Sequence, residues 1–118
     1  MIPYERFYCA LACVSDCNDF EEYAVETGSS IPLDDAQQVI RLLKAVWAMA
    51  HDGLTIKSIA AACQRSIRSI AICYGIPIRT VENWSCRTNT PPSWALPFIA
   101  YVVLSDYMAD VPDSPSTP

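Results

Sequence analysis

The sequence predicts an all-α fold, a compact bundle of five to six helices. Apolar residues make up 52 % of the 118 positions and charged residues 18 %, so the chain has enough apolar surface to fold as one domain. It contains only 3 glycines, and the strict alternation of apolar and polar residues that marks a half-buried strand is scarce. Apolar residues instead recur with the 3.6-residue period of a helix.

The first third predicts two short helices. The first covers residues 3–16 and carries four apolar side chains at helical spacing: Phe7, Ala10, Leu11 and Val14. The pair Asn18-Asp19 can cap a second helix, which runs from Phe20 to about Glu26 and ends at Gly28. The cluster at 28–32 contains Gly, two Ser and Pro, and it predicts a boundary. We therefore expect an acidic N-terminal helical extension at 1–30 and a second domain at 31–109.

Two helices are expected in the middle of the chain. Residues 36–50 repeat apolar side chains with the helical period, with Asp34 and Asp35 in the first turn and Asp52-Gly53 ending the run. Thr55 can cap the next helix. An unbroken apolar stripe without Gly or Pro then predicts one long helix over about 55–74; it comprises Ile56, Ile59, Ala60, Cys63, Ile67, Ile70, Ala71 and Tyr74.

Turn residues divide the last third of the chain. Gly75 suits the left-handed residue that ends a helix, and Pro77 suits the first turn of a short helix to about Cys86. A Pro-Pro turn cluster at 88–92 precedes an apolar helix over about 94–107, with Pro97 in its first turn and Trp94 expected in the core. Residues 110–118 are rich in Pro and Ser and are expected to form a disordered tail.

Residues 70–84 have the sequence form of a helix-turn-helix within this bundle. Two helices cross closely when a small residue lies at the crossing point and the turn permits a positive φ, and Ala71 and Gly75 meet these two needs. Val81 and Trp84 are then expected to pack on the preceding helix and on helix 36–50. The same periodicity leaves four polar side chains outside: Arg79, Thr80, Glu82 and Asn83. An ordinary structural helix hairpin is the alternative interpretation.

The outward residues suit contacts with DNA. Arginine can bind guanine through two hydrogen bonds, asparagine can do the same with adenine, and threonine reaches a base edge or a phosphate. Arg79, Thr80 and Asn83 are therefore the candidate base contacts. The candidate phosphate contacts are the nearby cations: Lys57, Arg65, Arg68 and Arg87.

The charge of the chain is divided between its two parts. The formal net charge is −5, which by itself argues against a nucleic-acid partner. Residues 1–35, however, hold one cation against eight acids, whereas residues 53–105 hold five cations against Glu82 alone. The helix-turn-helix region is therefore basic, and the asymmetry outweighs the total.

The stretch Ala71…Gly75-Ile-Pro…Arg79-Thr-Val-Glu-Asn-Trp84, followed by Thr90-Pro-Pro-x-Trp94, resembles small helix-turn-helix DNA-binding proteins of the Cro/repressor-like class. It is especially similar to those of phages and mobile elements, and the resemblance covers about residues 54–105. It implies that a recognition helix over about 77–87 enters the major groove. The chain departs from many such proteins at 85–87, where Ser-Cys-Arg replaces Glu-Ser-Gly. The acidic segment before residue 33 has no counterpart.

Two functions are expected from these observations. The first is a cytoplasmic, sequence-specific DNA-binding transcriptional regulator that acts as a homodimer on double-stranded DNA, because one module of this size makes few base contacts. The second is a mobile-element inhibitor or adaptor, similar in kind to anti-CRISPR proteins. It would bind a protein partner through acidic residues that imitate a phosphate backbone, including Glu21, Glu22 and Glu26.

Catalysis, metal binding and membrane insertion are not expected. His51 is the only histidine and suits a helix C-cap, no phosphate-binding glycine loop is present, and no cofactor is implied. The chain shows no signal peptide and no apolar run of membrane-spanning length. Cys9, Cys13 and Cys17 lie four residues apart, so a zinc site is an alternative, but reduced thiols packed mostly in the core are the expectation for all six cysteines.

Overall fold

The computed structural model describes residues 2–86 and 89–109, and this part of the chain is all-helical without a strand. Its seven helices exceed the expected number by one. Their bounds are α1 Tyr4–Cys13, α2 Phe20–Gly28, α3 Ala36–Ala50, α4 Ile56–Ala62, α5 Ile67–Tyr74, α6 Ile78–Ser85 and α7 Ala95–Met108, with a 3-10 turn at Val14–Asp16 after α1. Arg87 and the expected tail at 110–118 lie outside the described residues.

Helix α3 is the centre of the bundle. It packs against α1, α2, α4 and α7, and it contributes several of the most deeply buried side chains: Leu42, Leu43, Val46 and Met49. Its predicted bounds are confirmed. The Asp35 carboxylate accepts a hydrogen bond from the Gln37 N–H at 2.9 Å, which satisfies one of the unpaired donors at the start of the helix. His51 is the C-cap, as expected.

The acidic N-terminal segment belongs to the same core. Phe7 in α1 and Tyr23 in α2 have no exposed surface. The Tyr23 hydroxyl donates to the carbonyl of Ala10 at 2.8 Å and thereby joins the two helices. Because these side chains form one cluster with those of α3 and α7, residues on both sides of the predicted boundary near residue 30 share one hydrophobic core.

The predicted single helix over 55–74 is wrong. Gln64 adopts a left-handed conformation with φ 59°. The Arg65 N–H donates to the Ala60 carbonyl at 2.8 Å and the Gln64 N–H to the Ala61 carbonyl at 3.3 Å, which is the hydrogen-bond pattern that ends a helix after a left-handed residue. Ser66 then caps α5 by accepting from the Ser69 N–H at 2.9 Å. A turn therefore divides the apolar stripe into α4 and α5.

The predicted turn at Gly75 is confirmed. Gly75 has φ 70°, and the Ile76 N–H donates to the Ala71 carbonyl at 2.9 Å. Pro77 follows with φ −56° and ψ 133° and is the N-cap of α6, one position before the first helical turn in which the sequence placed it. Residues 75–77 thus join α5 to α6, and the two helices pack against each other. The described parts of the chain contain no helix that is long and apolar enough to cross a membrane.

Replacing Gln64 with glycine is expected to raise the free energy of unfolding by about 1 kcal/mol, because a left-handed backbone strains any residue that has a Cβ. The reciprocal change, Gly75→Ala, should lower it by a similar amount. An added Cβ at residue 75 meets nothing within 4 Å, so that loss would report backbone strain alone. Urea denaturation of both variants measures the two effects. Destabilisation by Gln64→Gly would contradict the left-handed turn.

Candidate nucleic-acid interface

Helix α6 has one face in the core and one face in solvent. Val81 is fully buried and Trp84 is half-buried, whereas Arg79 and Glu82 are exposed. The helix packs on α5 and α4. The sequence predicted helix 36–50 as the second packing partner, and α4 takes that place. The result is a short helix whose polar side remains accessible.

The three candidate base contacts differ in exposure. Arg79 is exposed, and Asn83 follows it one turn later and is half-buried. Residues four apart lie on the same face of a helix, so these two side chains form the centre of the outer surface. Thr80 is half-buried and lies toward the edge of this face.

Glu82 is a member of this surface that the sequence placed outside but did not assign as a contact. It is exposed and, at about 100° per residue, lies beside Arg79 on the side away from Asn83, at the edge of the outer face opposite Thr80. A carboxylate can accept a hydrogen bond from the amino group of cytosine. Its position next to Arg79 adds an acceptor to a surface that also carries hydrogen-bond donors.

Two of the candidate phosphate contacts flank α6. Lys57, which is exposed, lines a groove of about 380 Å³ together with Trp84 and Ser85 of α6. Arg68 is also exposed and lines a smaller groove of about 240 Å³ that includes Glu82 and Ser85. Because the two grooves share Ser85, both cations border the C-terminal half of α6. Arg87 would follow directly but is outside the described residues.

Arg65 has a different environment from the other cations. Its side chain is 9 % exposed and donates to the Tyr74 hydroxyl at 3.1 Å, the Ser69 hydroxyl at 2.8 Å and the Cys73 sulfur at 2.8 Å. Tyr74 also donates to the Asp106 carboxylate of α7. This network ties the start and the end of α5 to α7. The guanidinium, predicted as a phosphate contact, thus lies within the packing that supports the turn before α6.

Burial changes the acidity of one member of this network, the Tyr74 hydroxyl. Burial, followed by the hydrogen bond to Asp106, raises the pKa of Tyr74 to about 12. The hydroxyl therefore keeps its proton further into the alkaline range and donates a hydrogen bond to the Asp106 carboxylate. The Asp106 carboxylate and the Arg65 guanidinium, whose closest charged atoms are 4.0 Å apart, both contact the Tyr74 hydroxyl.

The cysteines are free thiols, but the expectation that most lie in the core is wrong. Only Cys63 is buried, and three of them are exposed: Cys9, Cys73 and Cys86. Helix α1 ends at Cys13, so the stripe of thiols does not continue along one helix to Cys17. Among the residues that the structure describes, no three His, Cys, Asp or Glu side chains are grouped as a metal site.

Alkaline pH is expected to destabilise the protein partly through Cys63. Burial raises the pKa of this thiol to about 12, so between pH 9 and 12 the thiol ionises in the unfolded chain but not in the folded one. The free energy of unfolding then falls as pH rises, by at most about 1.4 kcal/mol per pH unit for this one group. Cys63→Ala should make the fall between pH 9 and 10 shallower in urea titrations under reducing conditions. An unchanged slope would mean that the thiol titrates alike in both states.

Comparison of the chain with protein-family models, with curated proteins and with solved structures gives no match.

Proposed function

We propose that this protein is a cytoplasmic, sequence-specific DNA-binding protein that regulates transcription by placing α6 in the major groove of double-stranded DNA. The observation that carries the proposal is the outer face of α6, which presents Arg79, Glu82 and Asn83. The turn at Gly75 joins α6 to α5, the two helices pack together, and Val81 is fully buried on the inner face of α6. A polar helix held rigidly at the surface in this way suits the major groove, which admits one α-helix.

Each outer side chain has a base edge that suits its hydrogen-bonding groups. The Arg79 guanidinium can donate two hydrogen bonds to O6 and N7 of guanine, and the Asn83 amide can donate to N7 and accept from the amino group of adenine. Glu82 can accept from cytosine, and Thr80 at the edge of the face can contact a base or a phosphate. We therefore expect the DNA sequence that one α6 contacts to contain a guanine followed within a few base pairs by an adenine or a cytosine.

The cations beside α6 would contact the phosphates that border the groove. Lys57 and Arg68 flank the C-terminal half of the helix, and the proposal extends this set to Arg87. Such contacts fix the position of the protein on DNA and supply most of its sequence-independent affinity. The eight acids of residues 1–35 make the net charge of the chain more negative. At 0.1 M salt, acids that lie more than about 10 Å from the DNA are largely screened and repel it little.

Fluorescence anisotropy with a labelled duplex of random sequence tests the phosphate contacts. Binding should weaken steeply with salt, and Lys57→Gln and Arg68→Gln should each lower the slope of log K against log salt by about 1. Lys44→Gln is the matched control, because Lys44 is an exposed lysine of α3 that borders neither groove. Absence of binding at low salt by the folded protein would overturn the proposal.

An inhibitor or adaptor acting through acidic residues is the second candidate function. Glu21, Glu22 and Glu26 of α2 are all exposed, which favours binding to a basic protein surface. Glu22 also accepts from the Asn18 N–H at 3.0 Å, and Asp19 accepts from the Glu22 N–H at 2.8 Å, so two acids of this segment have a capping role as well. Replacing Glu21 and Glu26 by lysine separates the two functions: DNA binding should persist or strengthen, whereas an inhibitor would lose its partner.

A further inference from the structure

Helix α7 has an apolar side in solvent. Trp94, expected in the core, is 65 % exposed, and Phe98 and Val102 are 49 % and 38 % exposed. These residues are spaced by four and form one ridge along the helix. The stretch from Ala95 to Leu104 contains no charged residue. A helix at the surface of a monomer normally carries a polar face, and one that is apolar on all sides is normally buried.

Helix α1 extends this apolar side. The ring of Tyr4 stacks on Phe98 with centroids 4.6 Å apart and planes at 9°, and Tyr8, which is 51 % exposed, lies 6.1 Å from Tyr4. The ring of Trp94 also lies near Phe98, with centroids 6.3 Å apart and planes at 69°. We call these residues the aromatic surface: Tyr4, Tyr8, Trp94, Phe98 and Val102. The rings form an unbroken row across two helices, which distinguishes them from scattered exposed hydrophobic residues.

We propose that the aromatic surface is the interface through which two copies of this chain form a twofold symmetric dimer. The exposed area of its side chains is on the order of 400 Å² per copy. A dimer would therefore bury about 800 Å² from these side chains alone. The surrounding residues of α1 and α7 would add the remainder of the roughly 1,200 Å² or more that a specific interface buries.

Self-association suits this surface for two physical reasons. A ridge of residues spaced by four can interdigitate with its own copy at the common helix crossing angle of about −50°, so one surface supplies both sides of the contact. The chain also carries a net charge of −5, and two copies repel each other least where the facing residues are uncharged. The choice of a second copy also rests on the proposed function, because a DNA reader with one recognition helix needs a second half-site.

Sedimentation equilibrium without DNA tests the proposal on the full chain. We expect twice the mass of one chain at micromolar concentrations, and Trp94→Glu and Phe98→Glu should each raise the dimer dissociation constant by at least about 30-fold. Ile72→Glu is the matched control, because Ile72 of α5 is also 65 % exposed but lies outside the aromatic surface. It should leave the dimer intact. Circular dichroism establishes that each variant is folded, and Val102→Glu replaces any variant that is not.

Two results would overturn the interface. One is a wild-type protein that stays monomeric up to about 100 µM, which would assign the aromatic surface to another partner. The other is a dimer that folded Trp94→Glu and Phe98→Glu leave unchanged. The outcome is independent of DNA binding: a dimer that binds no DNA would refute the proposed function alone, and a monomer that binds DNA would refute only the interface.

Discussion

Phe7→Ala is expected to lower the free energy of unfolding by about 3–5 kcal/mol, the usual effect of removing a fully buried aromatic ring. Phe7 has no exposed surface, and its ring lies 5.4 Å from that of Tyr101 in α7. The loss is a large share of the 5–15 kcal/mol that stabilises a typical domain. It would extend to α5 and α6, because Ile70 and Val81 belong to the same core as Phe7.

Urea denaturation followed by circular dichroism measures this loss. Val25→Ala in α2 is the control, because Val25 is 80 % exposed and its truncation should change the stability by no more than about 0.5 kcal/mol. A loss below about 1 kcal/mol for Phe7→Ala would indicate that the N-terminal helices form an appendage that the rest of the fold does not need.

The double change Arg79→Ala and Asn83→Ala is expected to reduce the preference for a selected site over random DNA by at least about 30-fold. Each bidentate contact with a base contributes roughly 1–3 kcal/mol of discrimination, and both side chains lie on the outer face of α6. Affinity for random DNA should fall only a few-fold, because Lys57 and Arg68 remain.

Competition binding with labelled site and unlabelled random duplex measures this preference. The control is Arg6→Ala, which removes an exposed cation of α1 and should leave the preference unchanged. Equal loss of affinity for site and random DNA in the double variant would mean that Arg79 and Asn83 contact phosphates instead of bases.

The sequence predicts the elements whose ends carry recognisable residues. Asp35 has the carboxylate that caps the start of a helix, and α3 was predicted correctly. Gly75 lacks the side chain that would strain a left-handed residue, and the turn before α6 was predicted correctly. Gln64 occupies the same left-handed conformation as Gly75, but glutamine has no preference that reveals it. The turn between α4 and α5 was therefore missed.

The candidate site was predictable where it depends on helix periodicity and not where it depends on distant contacts. The spacing around Val81 was enough to place Arg79 on the exposed side, whereas Asn83, predicted on the same side, is half-buried. The burial of Arg65 depends on Tyr74 and, through it, on Asp106, which is 32 residues further along the chain. The exposure of Trp94 likewise depends on how α7 packs, since its flanking sequence is as apolar as a core helix.

Selection of bound duplexes from a random DNA pool tests most directly whether α6 reads sequence. We expect a short motif to be enriched and to appear twice with twofold symmetry, about one helical turn apart. The folded Arg79→Ala and Asn83→Ala double variant should enrich no motif. A pool that remains random after repeated rounds with folded wild-type protein at low salt would contradict the proposal that α6 is a recognition helix.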